Sequence, residues 1–202
     1  MEELRDANGL TESEFLAQYQ ADKYERPSVT VDIIIIKNGK LLLIRRGGHP
    51  CIGKLAFPGG FVDMNEDVYT SAARELMEET RLKVKSLRQL PVASNPKRDP
   101  RTRIITVPFL AEVEDESVMH ADDDAMDAGW FTLAYQKMES RGVTVFEIVL
   151  ASKTDRYVFK VSKSFDKTGF RLDPIYKTIG DSPLAGDHAE ILAMAIDHME
   201  GA

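Results

Sequence analysis

Two aliphatic runs flank a short polar break in the first quarter of the chain. "VTVDIIII" (29–36) and "LLLI" (41–44) enclose Lys37-Asn38-Gly39-Lys40. Runs of this kind around Asn-Gly predict a β-hairpin over 26–46, because both turn positions tolerate positive φ. "KLAFPGGFVD" (54–63) reads as a short strand broken at Pro58-Gly59-Gly60. The period then changes, and residues 66–80 place their apolar positions at helical spacing. Strands follow near 87–94, 103–113 and 128–133, and a second hairpin spans 143–161 around Ser152 to Asp155. Helices are expected at both ends. "TESEFLAQYQ" (11–20) opens with Thr11 and Glu14 in capping-box spacing, with Phe15, Leu16 and Tyr19 on one side. "GDHAEILAMAIDHME" (186–200) offers Asp187 as N-cap and Ile191, Leu192, Ala195 and Met199 as an apolar stripe. This order of elements predicts an α/β (α+β) sandwich with a mixed sheet, a short N-terminal helix and a C-terminal helix. We expect one domain over 1–202. Its core lies at roughly 27–135, with a helical extension at 1–26 and an added hairpin and helix at 140–202.

Composition narrows the partners. A chain of 202 residues can bury a real core. Its formal charge of −7 and pI near 5.2 set a field that repels nucleic acid and anionic membrane. A phosphate-bearing partner must therefore meet a local basic cluster or a bound cation. The single Cys51 excludes an intramolecular disulfide and a Cys-based zinc site. No secretory leader is visible, and the longest apolar run is too short to span a bilayer. A soluble cytoplasmic protein is the expectation.

Candidate chemistry concentrates in "RELMEETRL" (74–82). Glu75, Glu78 and Glu79 stand at i, i+3 and i+4, so a helix places them on one face, where like charges repel. Tyr69, Ala73, Leu76, Met77 and Thr80 fall on the other arc. A solvated acidic face is the ordinary reading of such a run. A hard-cation site is the sharper one, since Mg²⁺ or Mn²⁺ requires several oxygens and relieves the repulsion. Gly59-Gly60 just upstream exposes backbone to a ligand, and Glu66 at the helix start suits the macrodipole.

The spacing of Gly60, Glu66 and "RELMEETRL" resembles the Nudix box, the signature of hydrolases acting on nucleoside diphosphates linked to another moiety. Arg81 departs from it, standing where the box has glycine. The resemblance covers about 29–135 and implies water attack on a pyrophosphate, assisted by a divalent metal. It further implies Glu75, Glu78, Glu79 and the Gly60 carbonyl as metal ligands, Arg74 as their orienting partner, and Glu66 as support for the loop and for Arg74. Family members draw a general base from a distant loop. Here 114–129 supplies Glu114, Glu116, Asp122, Asp123 and Asp124, with Asp123 or Asp124 favoured and Glu78 the alternative.

"NPKRDPRTRIITVPFLAEV" (95–113) carries Lys97, Arg98, Arg101 and Arg103 ahead of a strand. It is either a solvated loop or a diphosphate clamp. Together with "RPSVTVDIIII", it resembles the ADP-ribose pyrophosphatase branch. Arg46, Arg98, Arg101, Arg103 and Phe61 are the candidate substrate contacts, although Phe61 also suits a core. The four histidines show no ligand spacing, so structural or surface roles are expected for them. Cys51 reads as a packed or loop thiol. Two rivals remain: a hydrolase of nucleoside triphosphates or sugar nucleotides, and an ADP-ribose-sensing Nudix-like transcriptional regulator. Residues 150–202 hold seven Lys/Arg against eight Asp/Glu and no basic recognition helix, which argues against the regulator. The 143–163 hairpin covers the cleft, forms a homodimer interface or extends a sheet.

Overall fold

The computed structural model describes residues 3–113 and 128–201. Helix α1 (Glu12–Gln18) precedes strands β1 (Ser28–Ile34), β2 (Ile36–Lys37), β3 (Lys40–Arg45), β4 (Leu55–Ala56) and β5 (Gly59–Phe61). Next come helix α2 (Val68–Thr80) and strands β6 (Val84–Gln89) and β7 (Ile104–Val113). The remainder is β8 (Ala128–Ser140), β9 (Val143–Ala151), β10 (Arg156–Ser164), β11 (Ile175–Ile179) and helix α3 (His188–Glu200).

The strands form two sheets, a four-stranded one ordered β5-β1-β7-β6 and a seven-stranded one ordered β11-β10-β9-β8-β3-β2 with β4 against β3. The first is mixed because β1 and β7 run parallel. Helix α2 lies against β1 and β5, and α3 lies against β10 and β11. The expected mixed α+β architecture is thus present.

The first hairpin differs from expectation. β1 joins the four-stranded sheet, and only Ile36–Lys37 pairs with β3. The reason lies in the continuous run of isoleucines. Ile33 and Ile35 enter the core under α2, whereas Ile34 enters the core under α3. A strand buried on both faces loses its alternation, and the chain changes sheets inside the run. Each fully buried isoleucine contributes about 1.5–3 kcal/mol. The expected strand at 87–94 sits earlier, at Val84–Gln89. Residues 143–164 extend the larger sheet through β9 and β10.

Helix α2 begins two residues later than expected. Asp67 is its N-cap, with Oδ1 accepting from the Thr70 amide at 2.8 Å, so Glu66 lies outside the helix. The buried side is Ser71, Ala72, Leu76 and Thr80, while Tyr69 is exposed. The predicted apolar arc was therefore rotated. Arg81 keeps the left-handed conformation, φ 60°, that a glycine would adopt without strain. Its amide donates to the Met77 carbonyl at 3.0 Å, and buried Leu82 follows it into the core. We expect Arg81→Gly to stabilise the fold by a few tenths to about 1 kcal/mol. A higher urea midpoint would register this; a lower one would show that the arginine side chain outweighs the strain.

In α3, Ile191, Leu192 and Ala195 are buried as expected, but Met199 is exposed. Among the described residues, no helix is long and apolar enough to cross a membrane.

Candidate active site

Arg74 organises the start of the site. Its Nε donates to Glu66 Oε1 at 2.8 Å, and Nη1 donates to Glu75 Oε1 at 2.7 Å and Glu78 Oε2 at 3.3 Å. Nη2 reaches the Phe61 carbonyl at 3.1 Å, tying α2 to β5. One guanidinium thus holds three carboxylates against their mutual repulsion. The other Glu66 oxygen, Oε2, is buried without a hydrogen-bond partner.

The approach of β5 to its neighbours requires glycine. A Cβ on Gly59, φ +155°, would stand 2.1 Å from the Val31 carbonyl oxygen. On Gly60 it would meet the Glu75 carboxylate at 2.4–2.6 Å. The Gly59 amide donates to Glu79 Oε2 at 2.8 Å. Burial pushes the Glu79 carboxyl up to about 7; the Gly59 bond opposes this, and the charges of Glu75 and Asp32 add to it.

Among the described residues, no three His, Cys, Asp or Glu side chains close on one point as in a finished metal cage. The donor chemistry still fits a hard divalent ion. All the groups are oxygens, Glu79 is desolvated beside like charge, and Glu66 keeps an unpaired buried oxygen. The charge logic gives a measurable consequence. Between pH 4.5 and about 7 the unfolded chain ionises Glu79 while the folded chain does not. Metal-free protein therefore loses stability across that window, with no further loss from this group above it. We expect Mg²⁺ to raise Tm more at pH 8 than at pH 6. Equal shifts at both pH values would disconnect Glu79 from the cation.

Glu79, Gly59, Gly60 and Phe61 form part of the wall of a cavity of about 280 Å³. Arg46, Cys51, Arg98 and Arg101 line it as well, and residues 185–188 line it from the far end of the sequence. The Arg101 guanidinium lies 5.6 Å over the half-exposed Phe61 ring and is paired with Asp99 at 2.8 Å. Arg46 spends its Nε on the Pro50 carbonyl at 2.8 Å.

The other two expected arginine contacts also take protein partners. Arg98 grips Asp187 with two bonds, 2.9 and 2.8 Å, and stands 3.6 Å from Asp32. Arg103 does not line the cavity; it donates to the carbonyls of Ser94 at 3.0 Å and Ile104 at 3.2 Å. Asp187 occupies the N-cap position of α3 without capping, because Arg98 takes both of its oxygens. Glu114, Glu116, Asp122, Asp123 and Asp124 lie outside the described residues.

Sequence reasoning missed Asp32 and His188, both buried at this cavity. Asp32 had a signal, a lone charge inside an aliphatic run, since buried charges need partners. His188 had none. Its partners come from residues 131 or more positions away in sequence.

The NUDIX domain family model matches residues 26–141, more than half of the chain. The chain belongs to the NUDIX domain family. An ADP-ribose pyrophosphatase of Methanocaldococcus jannaschii is 46% identical over 112 residues, covering 54% of this chain and 64% of that protein. An ADPR responsive transcriptional repressor, NtrR, of Acinetobacter baylyi is 36% identical over 132 residues, covering 62% of this chain and 53% of that protein. The matches thus span less than two thirds of either relative. A MutT/nudix family protein from Enterococcus faecalis shares the fold with a TM-score of 0.66 and 30% identity, over 95% of this chain and 70% of that one.

Proposed function

We propose that the chain is a metal-dependent pyrophosphohydrolase that cleaves ADP-ribose to AMP and ribose 5-phosphate. The observation that carries this is the shared cavity, where desolvated Glu79 and the guanidinium groups of Arg46 and Arg101 line one space. A carboxylate calling for a cation and cations suited to anionic oxygens are both needed to bind a diphosphate. The ADP-ribose pyrophosphatase relative supports the choice of substrate.

Glu75, Glu78, Glu79 and the Gly60 carbonyl would hold Mg²⁺ or Mn²⁺, which supplies charge neutralisation at the diphosphate and an acidified water. Arg74, anchored by Glu66, keeps the carboxylates in register. Arg101 and Phe61 form a rim on which a purine can stack. Asp123, Asp124 or the half-exposed Glu78 would take the proton from water. Because residues 185–188 complete the cavity, we treat 1–202 as one functional unit.

The regulator reading draws on the repressor relative. Against it, α3 buries Ile191, Leu192, Ala195 and Ile196 in a core and is not a free recognition helix. A panel of ADP-ribose, nucleoside triphosphates and sugar nucleotides, each with Mg²⁺ or Mn²⁺, separates the readings. ADP-ribose should give the highest kcat/KM. Preference for another compound would replace the substrate, and salt-dependent DNA binding without turnover would favour the regulator.

A further inference from the structure

The cavity wall also holds a buried polar group that the glutamate helix does not use. Residues 185–188 line the cavity from beyond the NUDIX match, in a segment fastened to β4 by Leu55 N–H to the Pro183 carbonyl at 3.0 Å and Ala185 N–H to the Leu55 carbonyl at 2.8 Å. This places His188, stacked on Phe57 with ring centroids 4.9 Å apart, beside Asp32 of β1.

The protonation pattern there follows from the partners. His188 Nδ1 accepts the Phe57 amide hydrogen at 3.1 Å, so in the neutral ring Nε2 carries the proton. That Nε2 lies 3.5 Å from Asp32 Oδ1, beyond ordinary N–H···O range. Asp32 Oδ2 is already engaged, accepting from the buried Thr106 hydroxyl at 2.6 Å. A carboxylate oxygen and an imidazole N–H thus stand side by side with hydrogen-bonding capacity to spare. Arg98, buried between Asp187 and Asp32, ties the residue next to His188 to the strand that carries Asp32.

Charge selects what can enter. Two carboxylates, Asp32 and Asp187, against one guanidinium, Arg98, leave one net negative charge with His188 neutral. A phosphate is repelled there, and a hydrocarbon ring would leave Asp32 unpaired. An adenine edge, which also sets a donor beside an acceptor, would bind ADP and ADP-ribose alike and is told from a diol by the titration below. A vicinal diol suits both atoms, one hydroxyl donating to Asp32 and its neighbour accepting from His188.

We infer that Asp32 and His188 form a sugar-diol subsite that binds the distal ribose, so that residues 183–188, outside the family match, set the preference for a ribose-bearing leaving group. This rests on the pyrophosphohydrolase reading of the same cavity.

Calorimetric titration of the non-hydrolysable α,β-methylene analogues of ADP-ribose and of ADP, both with Mg²⁺, tests it apart from turnover. The parent chain should favour ADP-ribose by at least roughly tenfold, the scale of one or two hydrogen bonds to a charged group. The ratio should fall toward one in Asp32→Asn and in His188→Asn. The second variant retains an acceptor for the Phe57 amide and loses the Nε2 donor together with the ring stacked on Phe57, and it decides the matter if the first fails to fold. A parent ratio near one, or an unchanged ratio in a folded variant, overturns the subsite. If ADP-ribose is hydrolysed with Mg²⁺ while the ratio is unchanged, the hydrolase reading survives alone. If the ratio collapses as expected but no nucleotide is turned over, the subsite stands and the hydrolase reading falls.

Discussion

Glu79→Gln is expected to lower kcat on ADP-ribose with Mg²⁺ by about a hundredfold or more, because losing an anionic ligand removes several kcal/mol of transition-state stabilisation. The same change should leave metal-free protein at pH 8 as stable as the parent or more so. Glu79 is ionised there only against burial and the charges of Glu75 and Asp32. A neutral amide of the same shape escapes that cost and still presents an oxygen to the Gly59 amide. Lost activity with retained or raised Tm marks a group kept for chemistry at the expense of stability. If Glu79→Gln lost stability and activity together, the side chain would be structural.

Arg98→Leu should produce the largest loss of stability. The guanidinium is only 7% exposed and pairs with both Asp187 and Asp32, which lie on elements 155 residues apart in sequence. Removing one partner of a buried ion pair costs about 3–5 kcal/mol, since the other charge stays buried and unpaired. For a domain of this size that corresponds to roughly 6–20 °C in Tm. Arg101→Ala is the control, because its pair with Asp99 is far more exposed, 44% on the arginine side. Such a pair is worth about 0–1 kcal/mol. Similar thermal shifts for the two variants would show that the Arg98 cluster does not hold the C-terminal segment to the core.

Local chemistry was the legible part of this molecule. Asn38-Gly39, Thr11 with Glu14, and the glutamates of α2 all announce themselves within a few residues, and Arg74 indeed meets Glu66, Glu75 and Glu78. Arg81 was legible as a conflict between its type and its position, and the structure keeps the strained turn. Features set by pairing across the chain could not be read. The split of β1 from β3 depends on which core each isoleucine enters, and a continuous aliphatic run carries no phase to say so. Arg98 looked like a free cation because Asp187, its partner, is 89 residues away. His188 gained its place through a β-bridge between Leu55 and Leu184 that no local pattern encodes. Within the basic loop, Arg98 and Arg101 line the cavity, Arg98 as part of the buried cluster, and Arg103 braces the loop.

The most direct measurement follows ADP-ribose by ³¹P NMR in the presence of the chain, first with chelator and then with excess Mg²⁺. The diphosphate signals should persist with chelator. On adding Mg²⁺ they should give way to two phosphomonoester signals, those of AMP and ribose 5-phosphate, and Glu79→Gln should leave them nearly intact over the same time. Cleavage that proceeds equally with chelator, or products other than these two, would contradict the account.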